Sequence, residues 1–249
     1  MIRIVGPARG HLAVSGGVDS MVALHFLTRG KTRVDGVIHV NHGTAYGAKA
    51  EEFVRQHCAS IGVPCAVHNL PIGTEAQWSA GRRAVFSKYK RVMTAHHFDD
   101  IVEWYLYTKL RYGLGRITPY KTNTVVHPFA LNSKSTLLAY AKYHDVLYCE
   151  DPTNFGNSNA RAILRGIMPH LEALAPNIRG EVRKAMEDQY ENEEFEEGAE
   201  GEEDEEGAED EEDGESNANL DPAIFPDEED DGEEADDDDN DFGDSAEVR

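Results

Sequence analysis

Long hydrophobic runs are missing from this sequence. No apolar stretch approaches the roughly 18 residues that a membrane-spanning helix needs. The N-terminus also has no uninterrupted apolar segment of signal-peptide length. These absences predict a chain that neither spans a membrane nor is secreted, and they favour the cytoplasm.

Cysteine is scarce and scattered. The three cysteines, Cys58, Cys65 and Cys149, form no Cys-x-x-Cys pair. They are too few for the disulfide framework of a small secreted protein, and no two have the spacing of a structural zinc site. The pattern is typical of a protein from a reducing compartment.

Basic residues are almost missing from the last quarter of the chain. Residues 187–249 contain 34 of the 47 acidic residues and one base, Arg249, so this segment has a formal charge of −33, whereas residues 1–186 have +10. Like-charge repulsion and a low apolar content leave little to offset the entropy cost of ordering such a segment. We therefore predict an ordered basic domain over residues 1–186 and a disordered acidic tail over residues 187–249.

Short apolar runs alternate with segments of helical period in the basic domain. Strands are predicted at residues 12–14, 34–40, 66–70 and 91–95, and helices at residues 20–27, 48–61, 76–89 and 99–110. This alternation is typical of an α/β protein whose doubly wound parallel sheet is covered by helices on both faces. Such folds bind ligands beyond the carboxyl ends of the strands, where we expect the functional residues.

A glycine turn follows the first predicted strand and reads Ser15-Gly16-Gly17-Val18-Asp19-Ser20. Its glycines allow a tight turn and a close ligand approach, and the N–H groups that begin the next helix attract anions. An acid beside a phosphate site, such as Asp19, suits a ligand of Mg²⁺. The alternative is a structural turn in which Asp19 or Ser20 caps the helix. The complete pattern between a strand and a helix favours phosphate binding.

The glycine turn matches neither the Walker pattern nor the dinucleotide fingerprint. It resembles the loop of the ATP pyrophosphatases, the PP-loop superfamily. This resemblance implies an adenine nucleotide α-hydrolase-like fold, cleavage of ATP to AMP and pyrophosphate, and adenylation of a substrate oxygen.

Four further segments narrow the resemblance. They are His39–His42 after the second strand, Ala95–Asp100 with Glu103 after the fourth, Glu150–Asn154, and the pair Arg161 and Arg165. Together they resemble the tRNA(Ile)-lysidine synthases over about residues 10–180. The resemblance implies that ATP and Mg²⁺ activate the wobble cytidine of tRNA(Ile), with a CAU anticodon, and that free lysine then displaces AMP.

The resemblance also implies roles for individual residues. The catalytic residues would be Asp19, Asp100, Glu103, Arg161 and Arg165. The ATP-binding residues would be Ser15 to Ser20 with His42 and His96, and the metal ligands would be Asp19, Asp99 and Asp100. Each has a structural alternative, because acids are favoured at helix starts, histidines pack at strand ends, and arginines face solvent on helices.

The chain departs from the family pattern at several positions. It has His127-Pro128 for Arg-Pro, Arg161-Ala162 for Arg-Asn and Glu103-Trp104 for Glu-Thr, and the acidic tail stands where longer members have C-terminal tRNA-recognition domains. We therefore expect a short form of the family.

Two alternative functions stay open. One is a cytidine thiolase, although the related thiolases use a Cys-x-x-Cys pair and an iron–sulfur cluster. The other is a non-catalytic PP-loop relic that acts as an acidic binding protein. The sequence also leaves the choice between monomer and homodimer open.

Overall fold

A computed structural model describes residues 1–6, 8–30, 33–149 and 160–200 of the chain, with the backbone alone at residues 33, 160–162 and 191–200. The strands in these ranges are Arg9–Ala13 (β1), Arg33–Asn41 (β2), Cys65–Asn69 (β3), Val92–Met93 (β4) and Val125–Val126 (β5). The helices are Val18–Arg29 (α1), Ala45–Ser60 (α2), Glu75–Phe86 (α3), Phe98–Tyr112 (α4), Lys134–Tyr143 (α5), Ala160–Leu174 (α6) and Ile178–Glu200 (α7).

The five strands form one parallel sheet in the order β3-β2-β1-β4-β5. β1, β2 and β3 follow one another from the centre of the sheet to one edge. The chain then crosses back, and β4 pairs with the other side of β1. The strand order therefore reverses between β1 and β4, which is the position where doubly wound sheets bind their ligands. The predicted fold class is confirmed.

Helices cover both faces of the sheet, and neighbouring strand residues point into different layers of the core. Val37, Met93 and Val126 belong to one apolar cluster with residues of α1, α2 and α5. Ile38, Val92 and Val125 belong to a second cluster, with residues of α3. Because both faces are buried, these strands appear in the sequence as continuous apolar runs.

Two elements are shorter in the structure than the sequence predicts. β4 contains two residues instead of five, and α3 ends at Phe86 instead of Tyr89. Tyr89 leaves the helix because its hydroxyl hydrogen-bonds to His68 Nε2 on β3 at 2.7 Å and its ring packs on His11 of β1. No described helix is both long and apolar enough to cross a membrane.

The last helix extends the domain beyond its predicted end. α7 packs with α4 and α6 in a third apolar cluster, and Met186 and Tyr190 both lie in it. Tyr190 is buried and its hydroxyl donates to the Thr118 carbonyl oxygen at 3.2 Å. The boundary that we predicted after Met186 thus falls inside α7, because Met186 and Tyr190 lie one turn apart on one helical face while the composition is already acidic. Residues 201–249, the rest of the predicted tail, lie outside the described residues.

Candidate active site

The turn after β1 leaves the start of α1 open to a ligand. Gly16 has φ +94°, which favours glycine, and a side chain there would contact Val54 at 3.4 Å. Gly17 is the N-cap of α1 and has no side-chain acceptor for the first N–H groups of the helix. The Ser20 hydroxyl donates to the Gly17 carbonyl oxygen at 2.9 Å. The capping alternative is therefore wrong, and the free N–H groups suit a phosphate.

Asp19 pairs with a lysine from a distant part of the chain. Lys134 Nζ donates to Oδ1 and Oδ2 of Asp19 at 2.7 and 2.6 Å. Lys134 is the first residue of α5, so α5 brings a cation to the same edge of the sheet. This ion pair holds the Asp19 carboxylate beside the position where we place the phosphates.

Asp99 is held on both sides by hydrogen-bond donors. The Lys134 backbone N–H donates to Oδ2 at 2.6 Å, and Arg179 Nη2 of α7 donates to Oδ1 at 2.9 Å. Burial disfavours ionisation of Asp99, but these two hydrogen bonds and the Arg179 charge outweigh it and lower the pKa of the carboxyl group. Asp99 thus joins α4 to α5 and α7, which favours a structural role.

His97 lies between Asp19 and Asp100. It is the N-cap of α4, where its backbone N–H donates to Asp100 Oδ2 at 2.9 Å and its Nδ1 accepts from the Asp100 N–H at 3.3 Å. Nδ1 also lies 3.2 Å from Asp100 Oδ2, and Nε2 lies 3.7 Å from Asp19 Oδ1. The cap of α4 therefore sets the position of Asp100, and the His97 ring stands between the two carboxylates.

The carboxylate of Asp100 fits Mg²⁺ as it stands, whereas both oxygens of Asp19 accept from Lys134 and would have to release it to bind the ion. Carboxylate oxygen is the ligand chemistry that Mg²⁺ prefers, and in nucleotide sites one or two carboxylates suffice because phosphates and water complete the shell. Asp100 Oδ1 has no hydrogen-bond partner among the described residues, so it is available. In the described part of the chain no three candidate ligand side chains cluster.

Glu103 and Arg165 form a two-point ion pair between α4 and α6. Arg165 Nε donates to Oε2 of Glu103 at 2.6 Å, and Nη2 donates to Oε1 at 3.3 Å. The Glu103 side chain is buried, whereas that of Arg165 is half exposed. The hydrogen bond and charge of Glu103 raise the pKa of Arg165. The side chain of Arg161 and the segment Glu150–Asn154 lie outside the described residues.

The partly buried His96 contacts two buried residues, Thr94 and His127. Thr94 Oγ1 lies 2.8 Å from His96 Nδ1 and 2.6 Å from His127 Nδ1, and the two imidazole rings are perpendicular neighbours. Burial, and then the nearby His96, hold the pKa of His127 far below its usual value. A neutral imidazole therefore stands where the family pattern has a guanidinium group.

His42 lies just past the carboxyl end of β2, and its ring packs on Trp78 of α3 with centroids 4.9 Å apart. Burial, together with the Arg82 charge, lowers the pKa of His42. His42 therefore lies at the carboxyl edge of the sheet, where the candidate site is, and the contact with Trp78 of α3 fixes the orientation of its ring.

The burial of His127 predicts a pH-dependent stability. The unfolded state takes up a proton near pH 6.5, whereas folded His127 does not, so its contribution is complete above pH 6.5 and is lost as the pH falls below it. We expect His127→Asn, which can keep a polar contact to Thr94, to flatten the loss by up to about 1.4 kcal/mol per pH unit. Urea unfolding at about pH 7.5 and about pH 5.5 measures both slopes. Equal slopes in the two proteins would contradict the assignment.

Sequence reasoning missed Lys134 and Arg179. Lys134 contacts Asp19 across 115 positions of the sequence, and Arg179 contacts Asp99 across 80. No short sequence motif predicts contacts over such separations. One signal was present: Ser133, whose hydroxyl accepts from the Thr136 N–H at 3.2 Å, is a favoured N-cap residue before a helical pattern. It predicts the start of α5, although not its partner.

Comparison with known proteins adds three findings. A family profile described as a PP-loop domain matches residues 5–171. The chain is 32% identical over 192 residues to the tRNA(Ile)-lysidine synthase of Nitrosomonas europaea and 34% identical over 192 residues to that of Lactiplantibacillus plantarum. These alignments cover 68% and 67% of this chain but 42% and 43% of the relatives, so the chain spans less than half of their length.

A solved structure with a similar fold is the U34-tRNA thiolase NcsA from Methanococcus maripaludis with its [4Fe-4S] cluster. The TM-score is 0.59 and the sequence identity is 16%, over 76% of this chain and 74% of that chain. At this identity the likeness concerns the fold alone.

Proposed function

The chain belongs to the PP-loop domain family, and on that premise we propose that it is an ATP-dependent tRNA-modifying ligase that forms lysidine. The C2 carbonyl oxygen of the wobble cytidine of tRNA(Ile) attacks the α-phosphate of ATP, and pyrophosphate leaves. The amine of free lysine then attacks C2, and AMP leaves. The lysidine synthases among the relatives support this substrate.

The observation that carries the proposal is the uncapped start of α1, with Asp19 in its first turn and Asp100 on the other side of His97, whose ring lies 3.7 Å from Asp19 and 3.2 Å from Asp100. The backbone N–H groups that begin α1 would donate to phosphate oxygens, and the Ser15 and Ser20 hydroxyl groups, 3.2 Å apart, line the same turn. Asp100, together with Asp19 once that carboxylate releases Lys134, would hold Mg²⁺, which when bound neutralises phosphate charge.

Proton removal from the lysine amine is assigned to Asp100. Free lysine has a pKa of about 10.4, so the attacking amine must lose a proton. Glu103, the other acid on this face of α4, is buried and engaged at both oxygens by Arg165. Asp100 Oδ1 has no hydrogen-bond partner among the described residues; this oxygen would bind Mg²⁺ during adenylation and, once pyrophosphate has left, would accept the amine proton.

The thiolase alternative receives little support from the cysteine positions. Cys65 is the first residue of β3, at the amino edge of the sheet and opposite the candidate site, and Cys58 packs beneath it on α2. Cys149 is near the turn, where its backbone N–H donates to the Gly16 carbonyl oxygen at 2.9 Å. One thiol at the turn does not supply the Cys-x-x-Cys pair of the related thiolases.

The products of ATP cleavage test the proposed function. With tRNA(Ile) transcript and lysine, we expect AMP and pyrophosphate in equal amounts and a tRNA nucleoside heavier by one lysine residue, measured by chromatography and mass spectrometry. Leaving out lysine should keep tRNA-dependent ATP–pyrophosphate exchange and stop product formation. ADP and orthophosphate as the main products would contradict the proposal. Sulfur incorporation into the tRNA without lysine would indicate the thiolase. A complete lack of ATP cleavage would indicate the non-catalytic PP-loop relic.

A further inference from the structure

An exposed aromatic residue lies at the end of α4, and the segment that follows it packs back on the helix. Tyr112 is the last residue of α4 and is 46% exposed. Gly113 then reverses the chain with φ +76°, and Gly115 packs so closely on the Tyr105 ring that any side chain there would collide with it. The Arg116 N–H donates to Thr108 Oγ1 at 2.9 Å, which fastens the returning segment to the helix.

Three cations surround the two tyrosine rings of this surface. The guanidinium carbons of Arg111 and Arg116 lie 5.8 and 5.9 Å from the centroid of Tyr112, and Lys109 Nζ lies 5.7 Å from that of Tyr105. Cations within about 6 Å of a ring are attracted to its π-system. Arg111 and Arg116 are therefore held beside the exposed ring of Tyr112, and Lys109 beside the partly buried ring of Tyr105.

The surrounding sequence has charge of one sign only. Residues 104–144 contain no Asp or Glu and six bases. The helix dipole accounts for Lys109 and Arg111 in the last turn of α4, but it accounts neither for Arg116, which follows the helix, nor for the exposed ring of Tyr112. An acid-free basic segment around an aromatic ring complements a polyanion that has flat bases.

We propose that Tyr112, Arg111, Arg116 and Lys109 form a stacking surface for single-stranded RNA. A base stacks on the exposed ring of Tyr112, and the flanking phosphates contact the three cations. The inference rests on the proposed function only in taking RNA to be the substrate.

The stacking surface binds nucleotides other than the reacting one. Asp99 and Tyr112 are near opposite ends of α4, and at 1.5 Å per residue their positions are about 20 Å apart along the helix axis. A base on Tyr112 therefore lies far from the start of α1. The surface contributes affinity and positions the RNA, while the chemistry occurs at the other end of α4.

The test measures RNA binding by the full chain without ATP or lysine. The probe is a fluorescent oligouridine of about twelve nucleotides, within the 4–16 nucleotides of known single-strand sites. We expect Tyr112→Ala to weaken binding roughly 5- to 150-fold, since stacking of one base contributes about 1–3 kcal/mol. Tyr112→Phe, which keeps the ring, should bind like the unsubstituted chain. Tyr143→Ala on α5, where the side chain is 82% exposed, is the matched control.

The salt dependence of RNA affinity distinguishes the contribution of the Tyr112 ring from that of the cations. Arg111→Gln and Arg116→Gln should each reduce the slope of log affinity against log salt by about 0.7, whereas Tyr112→Ala should leave the slope unchanged. Tyr112→Leu keeps the packing bulk without the aromatic face and serves if the alanine variant is unstable by thermal melting. Unchanged affinity in Tyr112→Leu and Tyr112→Ala, an equal loss in Tyr143→Ala, or no binding of the probe by the unsubstituted chain at low salt would overturn the proposal. Lysidine formation is assayed separately, so a failure of the surface and a failure of the proposed function give different results.

Discussion

Replacing Asp100 with Asn is expected to reduce tRNA-dependent turnover by about 10²- to 10⁴-fold, the usual contribution of a positioned acid or base. The substitution removes the negative charge that we assign to Mg²⁺ and to the lysine amine. The fold should be preserved, because an asparagine oxygen can still accept from the His97 N–H, as Asp100 Oδ2 does at 2.9 Å. Initial rates and thermal melting of the same preparation measure the two effects.

The neighbouring residue provides the control. Asp99→Asn removes a charge one position away, but Asp99 is engaged by the Lys134 N–H and by Arg179. We expect this variant to lose mainly stability and to keep more turnover than Asp100→Asn. Asp19→Asn should resemble Asp100→Asn in activity. Near-normal turnover of Asp100→Asn at low Mg²⁺ would refute its role at the metal.

Replacing Arg165 with Met is expected to destabilise the fold by about 3 kcal/mol. The substitution removes the guanidinium group that donates to both oxygens of the buried Glu103 carboxylate, and breaking a buried pair costs about 3–5 kcal/mol. We expect the lower end of this range, because the Arg165 side chain is half exposed and solvent already screens the pair. Urea unfolding at neutral pH measures the change.

A double substitution separates the structural role of the Glu103–Arg165 pair from a role in catalysis. Glu103→Gln removes the charge that needs a cation, so the double variant Glu103→Gln/Arg165→Met should be more stable than Arg165→Met alone. Arg165→Lys, which keeps the charge, is the conservative control. If Arg165→Met were as stable as the unsubstituted chain but inactive, Arg165 would act on a substrate phosphate instead.

The first half of the fold was predictable because each of its strands is an apolar run bounded by polar or glycine residues, and each helix has its own apolar period. β5 was missed because Val125 and Val126 are too few to show any period. Residues 187–200 of α7 were assigned to the tail because their composition is acidic, although Met186 and Tyr190 lie in one apolar cluster.

The candidate site likewise contains some residues that the sequence predicts and others that it does not. The glycine turn and the pair Asp99-Asp100 stand in short motifs whose chemistry is local, so the sequence could indicate them. Lys134 and Arg179 act through tertiary contacts, and sequence composition gives no reason to prefer them to other cations. The engagement of Asp99 by these two residues could be read only from the folded chain.

The ion contacts that end at Arg179 also have a consequence for the synthesis of the chain. Ribosomes synthesise a chain from its N-terminus at about 5–20 residues per second, so the 80 positions between Asp99 and Arg179 take roughly 4 to 16 s. During that interval the residues of β1 to β4 and of the glycine turn have already been synthesised, while Asp99 lacks its α7 partner. The nascent chain therefore contains the glycine turn before it has the side chains that fix α4, α5 and α7 around it, and the contacts of Asp99 are completed only when α7 is made.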